Sequence, residues 1–182
     1  MPGTKGKLSR KRFIADDQFE NKMRDACTCL REIGLVTVLE ITGMHRSCIR
    51  DTILTPYGED YYLEWMATKE KRRERDMQAW VPPKDVENVR AWLTRYSKKH
   101  PDTYWRWLKE IAARAGYPQV SPMTYRAQRI VRMCKSGTDP REVAILTGAT
   151  EQTIFRYYTQ ASSKEKQQIM MSTRDKGRDQ TL

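Results

Sequence analysis

The chain of 182 residues (21.5 kDa) carries 34 lysines and arginines against 23 aspartates and glutamates, a formal net charge of +11 and an isoelectric point near 9.6. Such a chain builds one good core, and its surplus of positive charge favours a polyanionic partner, nucleic acid above all. No run of about 18 apolar residues and no apolar leader occur, which argues against membrane and secretory classes and for a soluble cytoplasmic protein.

Met1 to Arg12 holds Lys5, Lys7, Arg10, Lys11 and Arg12 without apolar periodicity, and reads as a flexible basic tail (residues 1–12) able to lie on phosphates. One domain is expected over 13–163, followed by a polar tail over 164–182. From Asp16 or Asp17 as N-cap, Phe19, Met23, Ala26, Leu30 and Ile33 recur at helical spacing and predict a first amphipathic helix. Leu35 to Ile41 is apolar and runs into Thr42-Gly43, after which Ser47 to Leu54 is expected to resume a helix as far as Pro56. The cysteines (Cys27, Cys29, Cys48, Cys134) form neither a C-x-x-C pair nor a Cys/His ladder, so reduced, mostly buried thiols are expected, with no metal site.

Tyr57 to Thr68 is rich in aromatics and alternates apolar with polar residues, and Asp76 to Val81 fits as its partner strand. Lys69 to Arg75 (KEKRRER) is then the loop of a basic hairpin. Pro82-Pro83-Lys84-Asp85 opens a helix with Val86, Val89, Trp92, Leu93 and Tyr96 on one face, ending near Lys98 to Pro101. Asp102 is expected to cap the next, with Trp105, Leu108 and Ala112 turned inward, as far as Gly116; its aromatic stripe has the spacing of a buried face. Thr124 to Lys135 follows as a helix that offers Tyr125, Ile130, Val131 and Met133 to the core and Arg126, Arg129 and Arg132 to a basic side. Asp139-Pro140 opens another helix, Gly148 turns it, and Glu151 to Gln160 forms the last. The fold class expected is α+β, mainly α with a small antiparallel sheet.

Arg126, Gly137, Gly148 and Tyr158 stand in an order and spacing that resemble the last third of a tyrosine recombinase (phage integrase) catalytic domain: His-x-x-Arg, helix, glycine turn, helix, Gly-His, tyrosine. The likeness covers about Phe13 to Ser163, and its strongest stretch is Val120 to Ser163. Two histidine slots differ, holding Met123 and Ala149. EITGMHRSCI resembles the family's first block, Thr-Gly-Leu-Arg before a Ser-Glu pair. Met44 and Ser47 take the leucine and serine slots, His45 takes the place of the first catalytic arginine, and Arg46 follows one residue late.

The resemblance implies a tyrosine-recombinase-like fold and metal-free, cofactor-free chemistry on double-stranded DNA. In that chemistry a tyrosine forms a reversible 3′-phosphotyrosyl link while arginines grip the phosphate and a hairpin lysine protonates the leaving oxygen. It assigns Tyr158 (with Tyr157 adjacent) as nucleophile, Arg126 as phosphate clamp, Lys69 as proton donor with Lys71 as fallback, and His45 or Arg46 as the second clamp. Lys71, Arg72, Arg73, Arg129, Arg132 and Arg156 are the expected DNA contacts, on a nucleoid-associated protein that self-associates on its site. Removing a single electrostatic donor costs about 10²–10³ in rate, so the altered slots also fit an inactive, DNA-binding accessory or regulatory protein.

A different reading takes Val143 to Arg156 as a helix-turn-helix, with Ala144, the turn glycine Gly148 and apolar Ile154; Leu39, Gly43 and Ile49 repeat the last two spacings. Glu151, Gln152 and Arg156, or His45, Arg46 and Arg50, would then read bases from a major groove.

Overall fold

In a computed structural model, which describes residues 14, 16–69 and 72–158 and the side chains among them except at 68–75 and 156–158, the chain is mainly helical with one three-stranded antiparallel sheet. The expected basic tail 1–12, Lys71 and everything beyond Tyr158 lie outside the described residues.

The first expected helix is two. Helix α1 (Phe19–Asp25) stops, and α2 (Leu30–Thr42) begins after Cys29, whose backbone is extended. The break is held from a distance: Arg114 donates through Nε to the Ala26 carbonyl (3.0 Å) and through Nη2 to Glu32 (2.5 Å). Glu32 in turn accepts the Thr28 backbone N–H at 2.9 Å, supplying a donor at the start of α2 with a partner. Asp16 caps no helix. It accepts the Gln18 N–H at 2.8 Å, while Tyr117 and Lys22 hold its carboxyl down at about 2.

Helix α2 absorbs the apolar run 35–41 and is the spine of the molecule, burying Leu35, Val36, Val38 and Leu39 completely. Apolar on most of its circumference, it must be covered from several sides; α1, α3, α4, α5 and the sheet do this. Gly34 lets α3 (Val86–Tyr96) approach: a Cβ there would lie 2.2 Å from the Trp92 ring, whose indole donates to the Arg31 carbonyl (2.7 Å).

After Gly43, the expected helix 47–54 is replaced by a short 3-10 helix (Arg46–Asp51) and an unforeseen edge strand, β1 (Ile53–Tyr57). Thr52 is already extended (φ −77°, ψ 135°), and Ile53 and Thr55 are β-branched. Pro56, lacking an N–H, is tolerated on an outer strand. Two residues, Gly58 (φ 64°) and Glu59, turn the chain into β2 (Asp60–Lys69), which pairs with β3 (Arg72–Val81). The ladder therefore runs on through most of the segment expected as a loop, with an irregularity between Ala67 and Lys69. Each residue added to an established ladder gains its bonds without a new nucleus, which outweighs the modest strand preference of Lys and Arg.

A 3-10 turn (Pro83–Asp85) leads into α3. Helix α4 (Pro101–Arg114) is capped by His100, which accepts from the Asp102 N–H, and not by Asp102 itself. Its buried face is Tyr104, Trp107, Leu108 and Ile111; Trp105 is half-exposed, flanked by Arg46 and Lys109. Helix α5 (Pro122–Lys135) starts with a Ser121/Thr124 capping box, then α6 (Pro140–Thr147) with Asp139 as cap, then α7 (Glu151–Tyr158). Tyr125 and Ile130 of α5 are buried, while Val131 and Met133 are only half-buried.

The buried apolar residues form two clusters. The large one centres on α2; the small one holds Ile130, Cys134, Val143, Ala149 and Ile154 between α5, α6 and α7. All four cysteines are free thiols, Cys48 and Cys134 buried, Cys27 half-buried and Cys29 exposed.

Candidate nucleic-acid interface

Three segments far apart in sequence meet at one corner. Gly43 ends α2 in the left-handed region (φ 58°), and its N–H bonds back to Leu39 O at 2.8 Å. A Cβ on Gly43 would stand 3.0 Å from Arg126 Cα, so only glycine allows α5 this close. On α5, the Arg126 guanidinium reaches to the end of α6 and donates from Nη2 to Thr147 O at 2.7 Å. Gly148 follows, also left-handed (φ 62°), and a Cβ on it would lie 3.7 Å from Arg126 Nη2 and 3.5 Å from Met77 Cε of β3. The helix ends of α2 and α6, the side of α5 and the root of the hairpin thus converge around Arg126.

His45 belongs to this corner. Its Nδ1 accepts the Ser47 N–H (3.3 Å) and lies 2.8 Å from Ser47 Oγ, capping the 3-10 helix, so the bonding assigns the ring proton to Nε2. Burial, with the charges of Arg46 and Arg126, lowers its pKa from 6.5, so the imidazole is neutral at pH 7 and donates only through Nε2. A neutral donor beside a guanidinium suits a phosphate oxygen.

The other expected site residues distribute differently. Arg46 pairs with Asp102 (2.7 Å) over the Trp105 ring (5.8 Å). Arg129, expected on an open basic face, is 8% exposed and donates from Nη1 to Ile41 O at 2.5 Å; burial, with the charges of Arg132 and Arg126, lowers its pKa to about 10. Arg132 bonds both Glu20 oxygens (2.8 and 3.0 Å) and, from Nη2, Glu40 O at 3.1 Å. The physical reason is shared. The last turn of α2 has no basic residue of its own, and α5 supplies the positive charge its carbonyl end favours.

Met123 is half-buried, and Ala149 is buried at 7% within the small cluster of α5, α6 and α7, so that slot faces packing. Lys69 ends β2 opposite Arg72, with Arg73 next on β3; the backbone places these at the far end of the hairpin. Tyr157 and Tyr158 are the last described residues of α7, which also carries Arg156. The second helix-turn-helix does not form, because a six-residue 3-10 helix follows Gly43 where a recognition helix is required. At 143–156, α6, the Gly148 turn and α7 pack as a unit on α5.

Sequence reasoning missed the Thr147 carbonyl as the Arg126 partner, and no residue pattern signals it. It also missed the His45–Ser47 bond, for which the His-x-Ser spacing after a helix-ending glycine was a usable sign. No family model, curated protein or solved structure matches the chain.

Proposed function

We propose that this chain binds duplex DNA, gripping a backbone phosphate at the corner of Arg126 and His45 with the basic hairpin alongside. What carries the reading is the convergence of residues 43–47, Arg126 and 147–148 at one place. These are the segments that the likeness to tyrosine recombinases assigns to a single centre, and they are more than 70 residues apart in sequence where α2 meets α5. The charge of +11 supports the same partner.

Strand cleavage is the extension of this reading. Tyr158 Oη, giving up its proton to solvent, would attack the phosphorus and form a P–O bond as the bond to the 5′ oxygen breaks. Lys69 would return a proton to that oxygen, and no metal or redox partner is needed. With Ala149 buried and Arg46 paired with Asp102, few donors beyond Arg126 and His45 stand at the corner among the described side chains, which favours binding as the principal activity. A helix-turn-helix mode is supported by one observation of its own, the left-handed Gly148 between two eight-residue helices packed on α5.

Fluorescence anisotropy with a labelled duplex, titrated from about 50 to 300 mM salt, tests the proposal: neutralising Z phosphates gives a slope of about −0.9Z in log K against log salt. Arg126→Ala should lower affinity and the slope by about one phosphate, with Arg126→Lys intermediate because it keeps the charge without the fork. Glu151→Ala and Gln152→Ala, both exposed, should matter only in the helix-turn-helix mode. Salt-independent binding, or equal affinity in all the Arg126 variants, sinks the proposal. A nicked duplex in metal-free buffer separates the extension: a covalent adduct absent in Tyr158→Phe adds cleavage, and binding without adduct leaves the protein a binding factor.

A further inference from the structure

The side of the sheet turned away from the helices has a chemistry unlike the rest of the chain. Strand alternation sends Leu63, Trp65, Met77 and Ala79 into the core and brings Tyr57, Asp60, Tyr62, Glu64, Asp76 and Trp80 to the outer face. Tyr62 stands directly opposite Trp80 and meets Tyr57 edge-on, with ring centroids 5.5 Å apart at 83°. Two of the rings are tied to carboxylates: the Trp80 indole donates to Asp60 at 2.9 Å, and the Tyr57 hydroxyl to Glu64 at 2.5 Å. Tyr57 is 52% and Trp80 47% exposed.

In a chain with 34 basic and 23 acidic residues, the part of this face whose side chains are described, within 53–66 and 76–81, holds three carboxylates, Asp60, Glu64 and Asp76, and no lysine or arginine. Ring faces carry negative quadrupole charge and attract cations, most strongly at tryptophan. Rings already fixed by hydrogen bonds lose little freedom when something lies on them. The same carboxylates repel phosphate, so DNA is the wrong occupant.

We propose that the outer face of the β1–β2–β3 sheet is a docking surface for a lysine- or arginine-rich segment of a protein partner, its cationic side chains lying over Tyr62 and Trp80 against Asp60 and Glu64. Charge complementarity carries the assignment. A molecule of charge +11 repels polycations in general, but beyond roughly 8 Å that repulsion is screened at physiological salt, and the local face decides. The inference does not depend on the DNA-binding reading, since the face is separate from the Arg126 corner.

The probe is a fluorescein-labelled hexa-arginine peptide, followed by anisotropy at physiological salt, with a glycine-serine peptide of equal length as control. The wild-type chain should bind the cationic peptide and ignore the neutral one. Trp80→Ala should weaken binding at least tenfold, and so should the double variant Asp60→Asn with Glu64→Gln, which keeps both acceptors and removes only charge. All three positions are on the surface of the sheet, and thermal melts near wild type verify that the variants fold. The proposal is overturned if hexa-arginine fails to bind or binds the Trp80→Ala chain equally well. It is equally overturned if sedimentation shows a dimer that Trp80→Ala dissociates, since the face then belongs to a second copy of this chain.

Discussion

Substituting Gly43 by alanine tests fold and site together. At φ 58° an alanine adopts a conformation that costs an L-residue about 1–2 kcal/mol. Its Cβ would also stand 3.0 Å from Arg126 Cα, and because the neighbour is backbone, relief requires moving α5. Overpacking of this kind costs about 1–3 kcal/mol, which brings the total to about 2–5 kcal/mol. For a domain of this size each kcal/mol lowers the melting temperature by about 2–4 °C, so a fall of about 4–20 °C is expected. Gly58→Ala is the control: its φ is 64°, yet nothing lies within 4 Å of a Cβ there, so only the conformational cost applies. The assay is circular dichroism melting of both variants, with duplex affinity measured well below both midpoints. Gly43→Ala should melt lower than Gly58→Ala and alone should bind DNA more weakly, because Arg126 is displaced from His45. Equal melting losses would refute the close-approach argument, and a less stable variant with intact affinity would refute the phosphate corner.

Glu40 predicts a pH dependence. It is 5% exposed, and burial, outweighing the hydrogen bond and charge of Arg24, raises its carboxyl from 4.5 to about 7. The folded chain therefore holds a proton between those values that the unfolded chain has released, and stability falls as pH rises through this window, by about 2–3 kcal/mol at about 1.4 kcal/mol per unit. Denaturant titrations across the window should show the slope vanish in Glu40→Gln; an unchanged slope assigns it to another group. Arg129→Met leaves the Ile41 carbonyl unpaired and should cost about 1–3 kcal/mol in chemical denaturation. Its DNA affinity at equal folded fraction should not change, and a loss there would return Arg129 to the interface. Gly34→Ala drives a Cβ into Trp92 and should lower the melting temperature although alanine is the better helix former by about 1 kcal/mol; a stabilised variant would show that the helices separate freely.

Much of this architecture is legible in local chemistry. Ser121-Pro122, Asp139-Pro140 and Gly148 punctuate the last three helices with caps that act within a turn of chain, and the alternation through Leu63, Trp65, Met77 and Ala79 marks β2 and β3. What escaped depends on distant partners. The break between α1 and α2 is held by Arg114, whose bond to Ala26 spans 88 residues. Strand β1 exists because β2 lies beside it, whereas 47–54 alone suits a helix. At the candidate site, the likeness singles out Arg126 and His45 as an expectation, but a spacing of three fixes only that Arg126, Arg129 and Arg132 share a side of α5. That this side meets the carbonyl end of α2 is tertiary information, as is the Asp102 that claims Arg46.

The two cores differ in more than size. Helices α6 and α7 are held by five small or medium buried side chains, and the Arg126–Thr147 bond fastens their turn to α5, while α2 is enclosed by the bulk of the molecule. The cheapest partial unfolding is therefore a release of α6 and α7 with the rest intact. Amide hydrogen exchange should be faster in those helices than in α2 by orders of magnitude; uniform protection across all three would contradict this. A phosphate that draws the Arg126 guanidinium toward itself competes with the bond that latches α6. Occupancy of the corner and the freedom of the helix ending in Tyr158 then become a single equilibrium, with each ligand contact repaid in local mobility.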